Sequence, residues 1–189
     1  MQDINYPPGD FADRLHATFG PLVLIPPNQG EGLADIFKVS HCRHCVWESV
    51  EVDAGKHREN GMDSNRFSNG NHIKRLVVCA GTQGTAVYLK CGWQNNKIDD
   101  VLIKAPYAQH SDWFEGDYSS SYKDVDRAKT WNSNNTYGLV RREDGKPVRV
   151  RWNFLRGEQP KFGAGSNIEY QWGWSLISTI YTELKHLCT

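Results

Sequence analysis

The chain lacks any long hydrophobic run: no stretch approaches the ~20 apolar residues that a membrane-spanning helix needs. It lacks an excess of charge of either sign, with Lys+Arg and Asp+Glu at 22 each. No overall field therefore draws it to nucleic acid or to an anionic bilayer, and no nucleic-acid partner is expected. Residues 73–113 contain no nucleophile elbow, phosphate loop or zinc-finger spacing, so that stretch reads as a binding surface rather than a catalytic one. The N-terminal residues have neither a basic start nor an apolar core. The expectation is a protein that acts outside the cell without an evident signal peptide and is cytoplasmic before release, unless a leader has been removed.

What the chain does have is aromatic weight: seven Trp and eight Tyr in 189 residues. That length makes one domain, able to bury roughly 70% of its unfolded surface. The expected division is a Pro/Gly-rich extension over 1–34, packed on a single β-domain over 35–189. Within the extension, Asp10 would cap a short helix carrying Phe11, Leu15 and Phe19, and Pro21–Ile25 reads as a strand or an apolar strap.

The five cysteines (Cys42, Cys45, Cys79, Cys91 and Cys188) are an odd number, so at least one is free or pairs between chains. His41-Cys42-Arg43-His44-Cys45 gathers four potential metal ligands in five residues. A structural zinc site wants a second ligand pair some 12–20 residues on, and only His57 and His72 follow. Strand-edge residues or a disulfide partner, a metal site and a redox pair all stay open here. No cofactor is called for. Asn134-Asn135-Thr136 is a glycosylation sequon.

The middle of the chain reads as strands. Val46–Val52 is one. Ile73–Val78 and Ala86–Trp93 flank Gly81-Thr82-Gln83-Gly84 and read as a hairpin, which keeps Cys79 away from Cys91. Val101–Ile103 starts another strand. Asp144-Gly145 is the strongest hairpin signal, joining Tyr137–Arg142 to Val148–Phe154. Ile168, Tyr170, Trp172, Trp174 and Leu176 alternate again, before a short C-terminal segment with helical character. Six or more strands and little helix predict an all-β antiparallel sandwich.

Lys56 to Trp113 resembles the aegerolysins. The similarity runs through Gly55-Lys56-His57, Ile73 to Val78-Cys79, Gly81-Thr82-Gln83-Gly84-Thr85, Ile103 to Pro106-Tyr107, and Trp113. The chain departs from that pattern at Ala105 and Tyr107, where the family has Cys and Trp, in its neutral charge and in its longer N-terminus. The resemblance implies a β-sandwich that is a non-enzymatic binder of sphingolipid or sterol-containing membrane, a cytolytic or insecticidal toxin component working with a perforin-like protein partner.

On that reading the lipid-contact set is Trp93, Lys104, Tyr107, Trp113, Phe114 and Trp131. Aromatic rings at loop tips sit at headgroup depth while lysines meet phosphate. Two rivals stand beside it. Tyr118–Tyr122 and Trp131–Asn135 have the Tyr/Ser/Asn character of loops that bind a carbohydrate or a protein. His110 with Asp112, Glu115 and Asp117 gathers the groups for acid–base hydrolysis or nuclease chemistry.

Overall fold

A computed structural model describes residues 17–25, 35–55, 60–65, 68–89, 92–107, 110–116, 132–152 and 160–171. Among these residues the chain is all β, without a helix. The predicted helix over 10–19, the C-terminal segment and the strand beyond Gln171 lie largely outside the described residues. Within the first of these, Thr18–Phe19 is a strand.

The antiparallel sandwich is overturned. Among the described residues every strand pair is parallel, and the chain moves back and forth between two sheets. The first sheet stacks β1 (Thr18–Phe19) and β2 (Leu22–Leu24) on β4 (Val46–Trp47) and β5 (Val50–Asp53). Then follow β7 (His72–Cys79), β9 (Lys97–Lys104) and β11 (Thr136–Arg142). The second stacks β3 (Asp35–Ser40), β6 (Asn60–Asn65), β8 (Val87–Leu89), β10 (Trp113–Gly116), β12 (Val148–Trp152) and β13 (Ile168–Tyr170). A third side is a row of single bridges, Arg43–Asn69–Gln94–Ser133. Successive strands on one face are one full circuit apart, as in His72 beside Lys97 and Met62 beside Val87. The chain is a parallel β-solenoid, each coil resting on the one before.

The two expected hairpins become corners. Gly81–Gly84 joins β7 in one sheet to β8 in the other, and Asp144-Gly145 joins β11 to β12 in the same way. The turn itself forms, with Gly145 at φ 73° and its N–H donating to Arg142 C=O. What fails is the pairing after it: β11 bonds to β9, and β12 bonds to β10 and β13. A glycine turn sets a local reversal, and the neighbouring coils decide which strand lies alongside.

The interior is a stack of like residues. Phe37, Met62, Val87, Phe114, Val150 and Tyr170 share one inward row of the second sheet. Ile73, Ile98 and Tyr137 share one in the first. Fully burying side chains of this size contributes roughly 1.5–3 kcal/mol apiece. Gly116 is required by its row, because a Cβ there would lie 2.1 Å from the Trp152 ring.

Asparagines hold the third side together. Asn71 N–H donates to Asn96 Oδ1 at 2.8 Å, and Asn96 N–H donates to Asn135 Oδ1 at 2.9 Å. The Nδ2 groups of Asn71, Asn96 and Asn135 donate to the carbonyls of Cys42, Ser68 and Trp93 in turn. Each amide thus satisfies buried backbone groups that no strand reaches. The residue before each ladder position has a left-handed backbone: His44, Gly70, Asn95 and Asn134, at φ 55°, 67°, 54° and 54°. Gly and Asn are the residue types that best tolerate that region.

Candidate functional site

The six residues expected to meet lipid do not assemble on one surface. Trp93 and Phe114 are core residues at 1% and 0% exposure. Lys104 projects from the first sheet and pairs with Glu51 at 3.1 Å. Trp131 lies outside the described residues, as do Tyr118–Tyr122 of the rival loop reading. Tyr107 is half-buried at a corner, its hydroxyl donating to Gly55 C=O at 2.7 Å. Trp113 is buried on the second sheet's outer side, its ring under the guanidinium groups of Arg149 and Arg151 at 4.9 and 4.4 Å. These residues are interspersed with polar ones because a coil turns each corner with one residue inward and the next outward. In the sequence that pattern is the same as an exposed loop.

A groove of about 360 Å³ opens at the corner where β9 passes to β10 and β11 passes to β12. Tyr107 and Pro106 form one wall, and Asp112, Arg142, Asp144, Lys146 and Arg149 supply the rest with Ala105. Asp112 is its fixed point. Arg149 grips it in a fork, Nε to Oδ2 at 2.9 Å and Nη2 to Oδ1 at 2.6 Å, and Arg142 Nη1 adds a third bond at 2.6 Å. Arg142 also forks Asp144, through Nε at 2.9 Å and Nη2 at 2.6 Å. The Arg142 bond, opposed by slight desolvation and reinforced by Lys146 N–H, holds the Asp144 carboxyl below its usual range. Charge-assisted forks of this kind fix side-chain positions before any ligand arrives.

The His110 ring meets that of Trp113 at a tilt of 36°, with centroids 4.3 Å apart. The carboxylates of the hydrolase reading are engaged by cations. Glu115 accepts from Arg151 at 2.5 Å and from Thr85 Oγ1 at 3.0 Å, with its side chain 2% exposed. Asp117 lies outside the described residues. Sequence reasoning weighed Asp112 as a hydrolytic carboxylate and Tyr107 as a lipid contact, and gave Arg142 and Arg149 no role in a site. The signal was there in Arg142 and Arg149 flanking a turn, but the groove exists only because the two corners stack.

The described residues hold no group of three or more side chains suited to a metal ion. His72, weighed as a downstream zinc ligand, pairs with Asp99 instead, Nε2 to Oδ2 at 2.6 Å. Asp99 is pushed up by burial but pulled further down by hydrogen bonds from Lys97 and His72, so its carboxyl lies below the ordinary value of 3.8. Cys42, Cys45 and Cys79 are free thiols.

The fold defines the class, a parallel β-solenoid with a charged corner groove. Compared with protein-family models, curated proteins and solved structures, the chain matches none of them.

Proposed function

We propose that this chain is a recognition module whose corner groove binds a carbohydrate, without carrying out a reaction on it. The observation that carries the reading is the fixing of Asp112 between Arg142 and Arg149 beside the Tyr107 ring. Vicinal hydroxyls of a sugar match both a guanidinium fork and a carboxylate, and the apolar face of a pyranose stacks on an aromatic ring. The groups are locked by one another, so little side-chain entropy is lost when a ligand binds. A solenoid corner also continues from coil to coil, which suits an extended chain better than a compact ligand.

A second reading, a sphingolipid headgroup at the membrane surface, follows the aegerolysin resemblance. It is favoured by Arg142, Arg149 and Lys146, three cations against two carboxylates in one groove. A perforin-like protein would then be the partner.

A glycan array run with the wild-type protein and with Tyr107→Ala and Lys146→Ala tests the first reading. Wild-type binding that falls at least about tenfold (~1.4 kcal/mol) in Tyr107→Ala supports it. Pelleting with sphingomyelin–sterol vesicles but no glycan capture transfers the proposal to the lipid headgroup. Glycan binding unaffected by both substitutions removes the groove from the function.

A further inference from the structure

The first coil carries an exception to the asparagine ladder. Its ladder position is Cys45, whose N–H donates to Asn71 Oδ1 at 3.0 Å, while Asn71 Nδ2 donates to Cys42 C=O at 2.9 Å. One side-chain amide therefore clamps both ends of the Cys42–Cys45 turn and holds its two cysteines together. Ser68–Asn71, Trp93–Asn96 and Asn132–Asn135 occupy the same turn in later coils, as the bridge row Arg43–Asn69–Gln94–Ser133 fixes their register. Only the first coil puts a thiol at both ends. The thiols lie three residues apart at the two ends of one clamped turn, each against a nearby carbonyl, Ser40 at 3.5 Å for Cys42 and Arg43 at 3.6 Å for Cys45.

We propose that Cys42 and Cys45 form a dithiol site that an oxidised low-molecular-weight disulfide converts to an intramolecular disulfide closing this turn. Access sets the order of events. Cys42 is partly buried and Cys45 is 3% exposed, so Cys42 is the thiol a reagent reaches first. The Cys42 thiolate attacks one sulfur of the reagent, forming a mixed disulfide and expelling one thiolate. The Cys45 thiolate then attacks Cys42 Sγ, forming the internal bond and expelling the second. The protons of the two protein thiols end on the two released thiols, and the reagent's disulfide is the oxidant. Burial, with Cys45 beside it, pushes the Cys42 thiol up to about 11. Exchange is therefore slow near neutrality and quickens as pH rises.

Cys79 supplies an internal control. Burial and the neighbouring Asp53 push it to about 11 as well, yet it has no second thiol beside it among the described residues. The test treats the full chain with oxidised glutathione at mildly alkaline pH, quenches with acid and maps the peptides by mass. The expected product is loss of two hydrogens within the peptide carrying Cys42 and Cys45, at least about tenfold faster than glutathionylation of Cys79. Cys45→Ser, checked for its circular dichroism, should stop at a glutathionyl group on Cys42. Both thiols remaining open to alkylation while Cys79 reacts would overturn the proposal, and so would a bond from either one to another cysteine. Should Cys45→Ser fail to fold, the wild-type map alone decides.

Discussion

Asn96 Oδ1 accepts the backbone N–H of Asn71 at 2.8 Å, and Asn96 Nδ2 returns a bond to Ser68 C=O at 2.9 Å. One side chain thereby takes up the Asn71 N–H and adds a second bond to a carbonyl that the Gln94 N–H already meets.

Asn96→Ala removes that amide from a site only 1% exposed, leaving the Asn71 N–H without its acceptor, while Ser68 C=O keeps the Gln94 N–H at 3.1 Å. One unsatisfied group costs about 1–3 kcal/mol, and that is the expected loss. Urea unfolding at constant slope measures it. A loss under about 0.5 kcal/mol, the level of an ordinary surface change, would mean the ladder adds little.

Gly116→Ala places a methyl group 2.1–2.5 Å from the ring of Trp152. Overpacking of this kind costs about 1–3 kcal/mol. The same substitution in a Trp152→Leu background should cost less, giving a coupling energy of about 1 kcal/mol in a double-mutant cycle. Simple additivity would place the strain elsewhere.

Asp99 is hydrogen-bonded by Lys97 and His72, which lower its folded pKa below the usual 3.8. A depressed carboxyl contributes stability above its unfolded pKa and loses it as pH falls through the folded value. Stability should therefore drop as pH goes below about 4, and Asp99→Asn should flatten that part of the curve. The pair is half-exposed, so added salt should shrink the effect. Side-chain NMR of the carboxyl carbon reads the titration directly, and a midpoint at or above the ordinary value would contradict the geometry.

Cys79 is raised to about 11 by burial and then by Asp53, with Lys104 opposing. Asp53→Asn should lower that pKa and speed alkylation of Cys79 at fixed pH. Lys104→Ala should slow it. Rates moving in the reverse sense would show that Asp53 is not what the thiol feels.

The strands themselves were legible. Val46–Val52, Ile73–Val78, Val101–Ile103 and Val148–Phe154 are rich in β-branched residues, and all of them contain strands. Their pairing was not, because Asp144-Gly145 and Gly81–Gly84 are turn sequences whether the next strand folds back or passes to another sheet. The missed signal was a repeat: Asn71-His72-Ile73, Asn96-Lys97-Ile98 and Asn135-Thr136-Tyr137 share register, with Cys45-Val46-Trp47 as the first member. It is hidden by its variable spacing and by the cysteine where the ladder begins. The corner groove was less legible still. Tyr107, Asp112 and Arg149 meet through stacking of coils, a relationship that no single segment carries.

The spacing between Ile73 and Ile98 is one short circuit, whereas Lys97 returns beside itself only at Thr136, 39 residues later. The hydrogen-bond register resumes without a break. Lengthening a closed loop from 25 to 39 residues costs only about 0.4 kcal/mol of chain entropy. Foreign sequence spliced between β10 and β11 should therefore be tolerated as cargo while the coils above and below keep their stacking.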